Sequence, residues 1–372
     1  MTRVLYVHGG LLRYGGTESY MMNYCRHFDR ARITVDFAVH GEGTGAYDEE
    51  VLAMGGRIYH LPVKGQDYRG NTRALRRLIS AGGYRAVHSH IDAGNAHVLR
   101  IAKACGVPLR VAHSHNTRTQ SDSRLRRWYN ALEKRRIPGV ATHLFACSDA
   151  AGRWLYGRCP FTVINNAIDL EKYRPDADLR AQLRGELGVA DGQPLIGHVG
   201  RFSYQKNHQK LIDIFAAFVK LRPDAVLALI GEGETRPAAE KQAAACGLTD
   251  SIRFVGTTSR VAAYMQAFDA FVLPSRFEGL AVALVEAQAA GLPCFTGREA
   301  MPPESDITGL VRFFPPEAGP GVWAEALAEA VLPDAVRTGT AADIAAAGYD
   351  IRQEAGRLQR FYETGILGMT IA

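Results

Sequence analysis

Two series of short apolar runs, each run followed by a helix-patterned stretch or a loop, restrict this chain's fold more than any other feature. The first series comprises residues 3–8, 33–39, 86–90, 109–113 and 143–147, and the second comprises 195–199, 225–230, 251–255, 270–273 and 293–296. A strand that feeds a helix leading to the next strand builds a parallel sheet covered on both faces. With 372 residues there is enough chain for two such sheets, since single cores rarely grow beyond about 250–300 residues. The expected class is therefore α/β, with two doubly wound domains facing across a cleft, at residues 1–170 and 171–350. A last helix within 351–372 is expected to cross back to the first domain. Residues 165–194 carry Pro175, Pro194, many charges and little strand signal, and read as the linker. Ligands of open α/β sheets lie beyond the carboxyl ends of the strands.

The charge is divided unevenly. Residues 1–170 carry 24 Lys/Arg against 13 Asp/Glu, a net of +11, whereas residues 171–372 carry 20 against 25, a net of −5. The basic half calls for an anionic partner. No helix-turn-helix, zinc-finger or RNA-binding signature accompanies it, so nucleic acid is not expected. Six scattered cysteines without a C-x-x-C pair suit reduced core thiols better than disulfides or zinc. A strand-like start and the lack of a long apolar window suggest a cytoplasmic chain with neither leader nor membrane span.

Glu278 and Glu286 bracket an otherwise apolar stretch read as a buried helix from Leu280 to Ala290. Buried carboxylates need partners. Eight residues of helix would set the two acids roughly 12 Å apart, comparable to the span from sugar to ribose in a nucleotide sugar wrapped around a helix N-terminus. A donor-sugar site is the first hypothesis. Arg201 and Lys206, beyond an expected strand end, offer a guanidinium fork and a mobile ammonium for a diphosphate. Gly9-Gly10 and Gly15-Gly16-Thr17-Glu18 form a glycine-rich loop before a helix, which suits either a phosphate or a plain turn. His113 and His115 end a strand, and the pair is expected to alternate faces so that one imidazole meets the ligand; His88 and His90 look similar. Arg118 to Arg136 interleave basic residues with Leu125, Trp128, Tyr129 and Leu132, a pattern for an anionic membrane surface or a solvated helix face. Asp176-Ala177-Asp178 has the form of a metal-binding Asp-x-Asp, but it falls in the linker rather than after a strand.

Together these residues resemble the family-4 retaining glycosyltransferases of GT-B fold, with two Rossmann-like domains, and among them the group that builds bacterial exopolysaccharide or capsule. The likeness runs through the Gly15-Gly16 loop, Ala112-His113-Ser114-His115-Asn116, Cys147-Ser148-Asp149, residues 163–169, Gly200-Arg201 with Lys206-Asn207, residues 229–233 and the acid pair. It implies that Arg201 and Lys206 hold the donor diphosphate and that Glu286 accepts from the ribose. It also implies that Glu278 meets the donor sugar, with the amides of Gly279, Leu280, Ala281 and Val282 close by. The Gly16 amide would approach phosphate or acceptor, and His115 would be the histidine beside the sugar. The implied activity is metal-independent transfer from a nucleotide sugar, by analogy UDP-linked, without a further cofactor. The implied acceptor is a saccharide or polyprenyl-diphosphate-linked saccharide, met at the inner face of the cytoplasmic membrane. Asn166-Ala167 replaces the usual Asn-Gly, and Leu280-Ala281 replaces a more common Gly or Pro. A nucleotide-sugar epimerase of the same fold, or a non-catalytic scaffold subunit, are the competing readings.

Overall fold

Most central strands are rich in Val, Leu, Ile and Ala because helices cover both faces of a parallel sheet, and buried polar side chains on them, such as Asp36, His88 and His198, have hydrogen-bond partners. The computed structural model describes residues 1–117, 123–278, 281–331 and 340–368. Residues 1–167 and 351–372 form one unit and Ile168–Asp350 the other.

The first unit is built on seven parallel strands: β1 (Thr2–His8), β2 (Ile33–His40), β3 (Ile58–Leu61), β4 (Ala86–His90), β5 (Leu109–Ser114), β6 (His143–Ala146) and β7 (Thr162–Val163). Their order is β3-β2-β1-β4-β5-β6-β7. In the second unit, β8 (Leu195–Val199), β9 (Val226–Ile230), β10 (Ile252–Gly256), β11 (Ala270–Leu273), β12 (Cys294–Gly297) and β13 (Val311–Phe314) follow the order β10-β9-β8-β11-β12-β13. In each unit the strand order reverses beside the first strand, between β1 and β4 and between β8 and β11. Open α/β sheets bind ligands at such points.

The last helix, Ile351–Thr364, belongs to the first unit. It sets Ile351, Ala355, Leu358, Phe361 and Tyr362 into the core that also holds Val4, Tyr6 and Phe37. The stretch expected as a linker is mostly structured: the helix Ala177–Glu186 buries Leu183 in the second core. From this helix Arg180 and Arg184 both reach Asp269, whose other task is to accept from the Leu195 amide at 2.7 Å. The Asp-x-Asp motif has a structural use, because Asp176 Oδ1 accepts from the Leu179 N–H at 2.9 Å and caps this helix. Replacing Asp176 with Ala should cost about 1 kcal/mol of stability. Urea unfolding should register that loss while donor turnover stays unchanged.

All six cysteines are free thiols. Among the described residues no helix is long and apolar enough to cross a membrane.

Candidate active site

At the reversal point of the first unit, β1 ends at His8, β4 at His90 and β5 at Ser114. The loop after β1 leads into the helix Gly16–Arg26, which starts with no side-chain cap, so its first amides face outward unpaired by the helix. A Cβ on Gly16 would meet nothing within 4 Å, whereas one on Gly15 would come 2.7 Å from the Glu18 carboxylate. Glu18 also pairs with His8 at 3.3 Å. Beyond β4, Asp92 adopts φ +47°, a left-handed conformation uncommon outside glycine. Its Oδ1 accepts from the His115 amide at 3.3 Å and its Oδ2 from Asn116 at 2.6 Å, which ties the ends of β4 and β5 together.

Four histidines form a two-by-two array on these strand ends. Along each strand the rings stack, His88 on His90 and His113 on His115, both with centroids 4.2 Å apart. Across the strands they join edge to edge: His88 Nε2 to His113 Nδ1 at 3.1 Å and His90 Nδ1 to His115 Nε2 at 2.9 Å. The expectation that His113 and His115 point to opposite faces is therefore wrong. Strand side chains two positions apart share a face. Burial pushes the His88, His90 and His113 imidazoles well below their usual range and takes His115 down to about 3. The array is neutral at pH 7.

Ligand atoms of His88, His90 and His113 all lie within 4.8 Å of one another, close enough to ask whether they hold a metal. Imidazole lone pairs lie in the ring plane, and the His88 and His90 planes are only 28° apart at stacking distance. Those lone pairs run side by side instead of meeting at one point. The donor set fits a hydrogen-bonded array better than a coordination sphere.

The second unit assembles a charged cluster where β8 and β11 end. The residue 203–207 loop is stitched to the residue 274–278 loop: the Arg276 amide donates to the Gln205 carbonyl at 2.8 Å and Asn207 Nδ2 to the Pro274 carbonyl at 3.2 Å. Lys206 Nζ thereby reaches Glu278 Oε1 at 2.7 Å, while Gln205 Nε2 donates to Glu278 Oε2 at 3.1 Å. Gly231 and Gly233, at φ +138° and +157°, let the β9 loop pass beside this cluster; a Cβ on either would come within 2.2 Å of the Gly200 or Phe202 carbonyl. That loop carries Glu234, which binds Arg201 at 3.0 Å. Arg201 is thus turned to Glu234, and Lys206 alone of the expected pair contacts Glu278.

The helix beyond Glu278 runs Val282–Ala289, with Ala281 at its start and no side-chain cap. Glu278 is in the preceding loop, its amide bonded to the Ala300 carbonyl at 3.1 Å. A straight helical rise therefore does not measure the separation of the two acids. Gly279 and Leu280 lie outside the described residues. Glu286 sits on the helix, where burial raises its carboxyl above the usual range while the Tyr173 hydroxyl, donating at 2.7 Å, and Lys172 oppose that shift. Sequence reasoning passed over Tyr173, Gln205, Glu234 and Asp92. Gln205 adjoins Lys206 and Asp92 follows β4 by two residues, so position at a strand end was the available signal.

Residues 14–172 match the family described as Glycosyltransferase Family 4, and residues 180–339 the one described as Glycosyl transferases group 1. EpsF of Bacillus subtilis (strain 168), named as a glycosyltransferase, is 35% identical over 97% of this chain and 96% of its own length. This chain belongs to the family-4 glycosyltransferases. The UDP-Gal:alpha-D-GlcNAc-diphosphoundecaprenol alpha-1,3-galactosyltransferase of Escherichia coli is 26% identical over 59% of each chain. Among solved structures, Anabaena Alr3699/HepE in complex with UDP-glucose superposes with a TM-score of 0.81 at 20% identity, covering 98% of this chain and all of that one. The fold of this glycosyltransferase is GT-B.

Proposed function

We propose that this glycosyltransferase moves a sugar with retention from a UDP-sugar to a saccharide or polyprenyl-diphosphate-linked saccharide, in the synthesis of a cell-surface polysaccharide, without a metal. The reading is carried by one arrangement: Lys206, Glu278 and Gln205 joined at the β8/β11 reversal point, beside a helix start that has no side-chain cap among the described residues. An uncapped helix start attracts phosphate, Lys206 adds a full charge, and Arg201 can join it. The Arg201–Glu234 pair is more than half exposed on both sides, so it holds weakly and can yield to a diphosphate.

Glu286 then serves as the ribose acceptor, one turn and more along the same helix, with Tyr173 orienting its carboxylate. Within the second unit Glu278 meets the donor sugar; within the first unit His115 is a substrate-facing histidine and the open space at Gly16 admits phosphate or acceptor. As the bond from the anomeric carbon to UDP breaks, positive charge develops on the sugar; the acceptor hydroxyl oxygen bonds to that carbon from the same face, and its proton passes to the departing diphosphate. Rate enhancement comes from positioning and from stabilising the diphosphate. The E. coli relative, whose name specifies a UDP-galactose donor and a diphosphoundecaprenol acceptor, supports the donor and acceptor classes. Incubation with a panel of nucleotide sugars and a lipid-linked acceptor, with EDTA present, tests the proposal. Product of unchanged anomeric configuration from a UDP-sugar is expected; failure of every donor to react, or an inverted product, would overturn it.

The lipid-linked acceptor agrees with the helix Arg124–Val140. Leu125 and Trp128 are 81% and 65% exposed there, amid the exposed Arg124, Arg126 and Arg127. Apolar side chains among cations suit an anionic bilayer surface. Leu125→Ala with Trp128→Ala should weaken co-sedimentation with anionic vesicles while leaving transfer to a soluble acceptor intact. Equal wild-type binding to neutral and anionic vesicles at low salt would contradict this surface assignment.

A further inference from the structure

The histidine array determines how His115 can approach a ligand. Its Nε2 is engaged by His90 Nδ1 at 2.9 Å. The centroids of those two rings are 5.2 Å apart, close to the sum of two ring radii and one N···N hydrogen bond, so the contact is edge to edge. The His113 ring covers one face of His115 at 4.2 Å and 16°, and the Tyr20 ring lies against it at 5.2 Å. Asp92 fixes the backbone through the His115 amide. The ring can neither flip nor tilt without breaking one of these contacts. Nδ1 is the remaining nitrogen, and among the described residues it has no partner.

We propose that His90 is a positioning residue for transfer, which holds His115 so that Nδ1 alone is presented to a substrate. His90 itself is 5% exposed and acts only through His115. The inference rests on the proposed reading of His115 as a substrate-facing histidine, but the His90–His115 bond it requires does not. A hydrogen-bonded ring loses rotational freedom before the donor arrives, so this bond improves the geometry of the transition state more than the binding of the donor.

The wild-type protein labelled with 15N in its imidazoles tests the geometry first. A nitrogen–nitrogen coupling across the hydrogen bond between His90 Nδ1 and His115 Nε2 is expected in the free enzyme, and its absence would overturn the proposal. Addition of UDP-glucose or UDP-galactose should move the His115 Nδ1 resonance and leave Nε2 nearly in place. A shift confined to Nε2 would be contrary. If neither donor binds, the reading of UDP-glucose or UDP-galactose as donor fails while the His90–His115 coupling still stands or falls by itself.

Kinetics then test the role. His90→Phe keeps an aromatic ring in the stack but offers no nitrogen, and kcat should fall about 10–100-fold, as for other partners that orient an active-site histidine, with donor KM nearly unchanged. His90→Asn can place either an amide N–H or a carbonyl oxygen where Nδ1 was. It should recover most of the lost kcat. Wild-type kcat in a folded His90→Phe, or no recovery in His90→Asn, would overturn the positioning role.

Discussion

Replacing Lys206 with Ala should lower kcat for transfer by roughly 10²–10³-fold, the usual cost of losing one preorganised group that stabilises a developing anion. Two effects add at this position. The diphosphate loses a full positive charge where it departs, and Glu278, only 8% exposed, loses its ion-pair partner at 2.7 Å and keeps Gln205. A carboxylate left in that position repels an incoming diphosphate. Lys206→Arg retains the charge but not the compact ammonium, so partial recovery is expected. Initial rates at saturating donor separate these outcomes, and near wild-type kcat in Lys206→Ala would remove the leaving-group role.

The second large effect is on stability in mild acid. Burial holds His88, His90 and His113 below the ordinary imidazole value of 6.5, and takes His115 to about 3, His198 to about 4 and His208 to about 2. Above pH 6.5 both folded and unfolded chains carry these rings neutral, and they contribute no pH dependence. As pH falls below 6.5 the unfolded chain takes up protons that the folded chain refuses, so stability falls with pH until the folded-state values are reached. Each such histidine costs roughly 1 kcal/mol per pH unit in that window. Several acting together rival a total stability of about 5–15 kcal/mol. Urea midpoints should therefore drop steeply from pH 7 to pH 5.5, with a shallower slope in His208→Phe. A flat profile would show that these rings are hydrated or protonated in the folded chain.

Much of the architecture was legible because most central parallel strands are predominantly apolar, although Ala86–His90 buries two histidines and a serine. Runs such as Val226–Ile230, buried at every position, cannot be confused with a surface segment. The strands that escaped notice, β3, β7 and β13, all stand at sheet edges. There one flank is open to water, and short mixed segments such as Ile-Tyr-His-Leu suffice. The helix Ala177–Glu186 was hidden by its charges, although the Asp176 cap and the Leu179/Leu183 spacing mark it.

The candidate site was legible in its charged residues and less so in its geometry. Lys206 and Glu278 are 72 positions apart in sequence, and their pairing follows only from the adjacency of β8 and β11. The ruler applied to Glu278 and Glu286 failed because Glu278 precedes the helix. The support that Tyr173 gives Glu286 shows no pattern in a linear sequence, and that of His90 for His115 shows only as two His-Ser-His runs. Their partners come from other strands or turns.

Transfer as proposed requires that the second unit grip a nucleoside diphosphate through Arg201 and Lys206 while Glu286 holds its ribose. Calorimetric titration of UDP into the wild-type enzyme and into Glu286→Ala tests it most directly. Saturable one-site binding is expected for the wild type and about 10–100-fold weaker binding for the variant, the loss of one or two hydrogen bonds to a charged group. Equal affinity in the two proteins, or no binding of UDP to either, would contradict it.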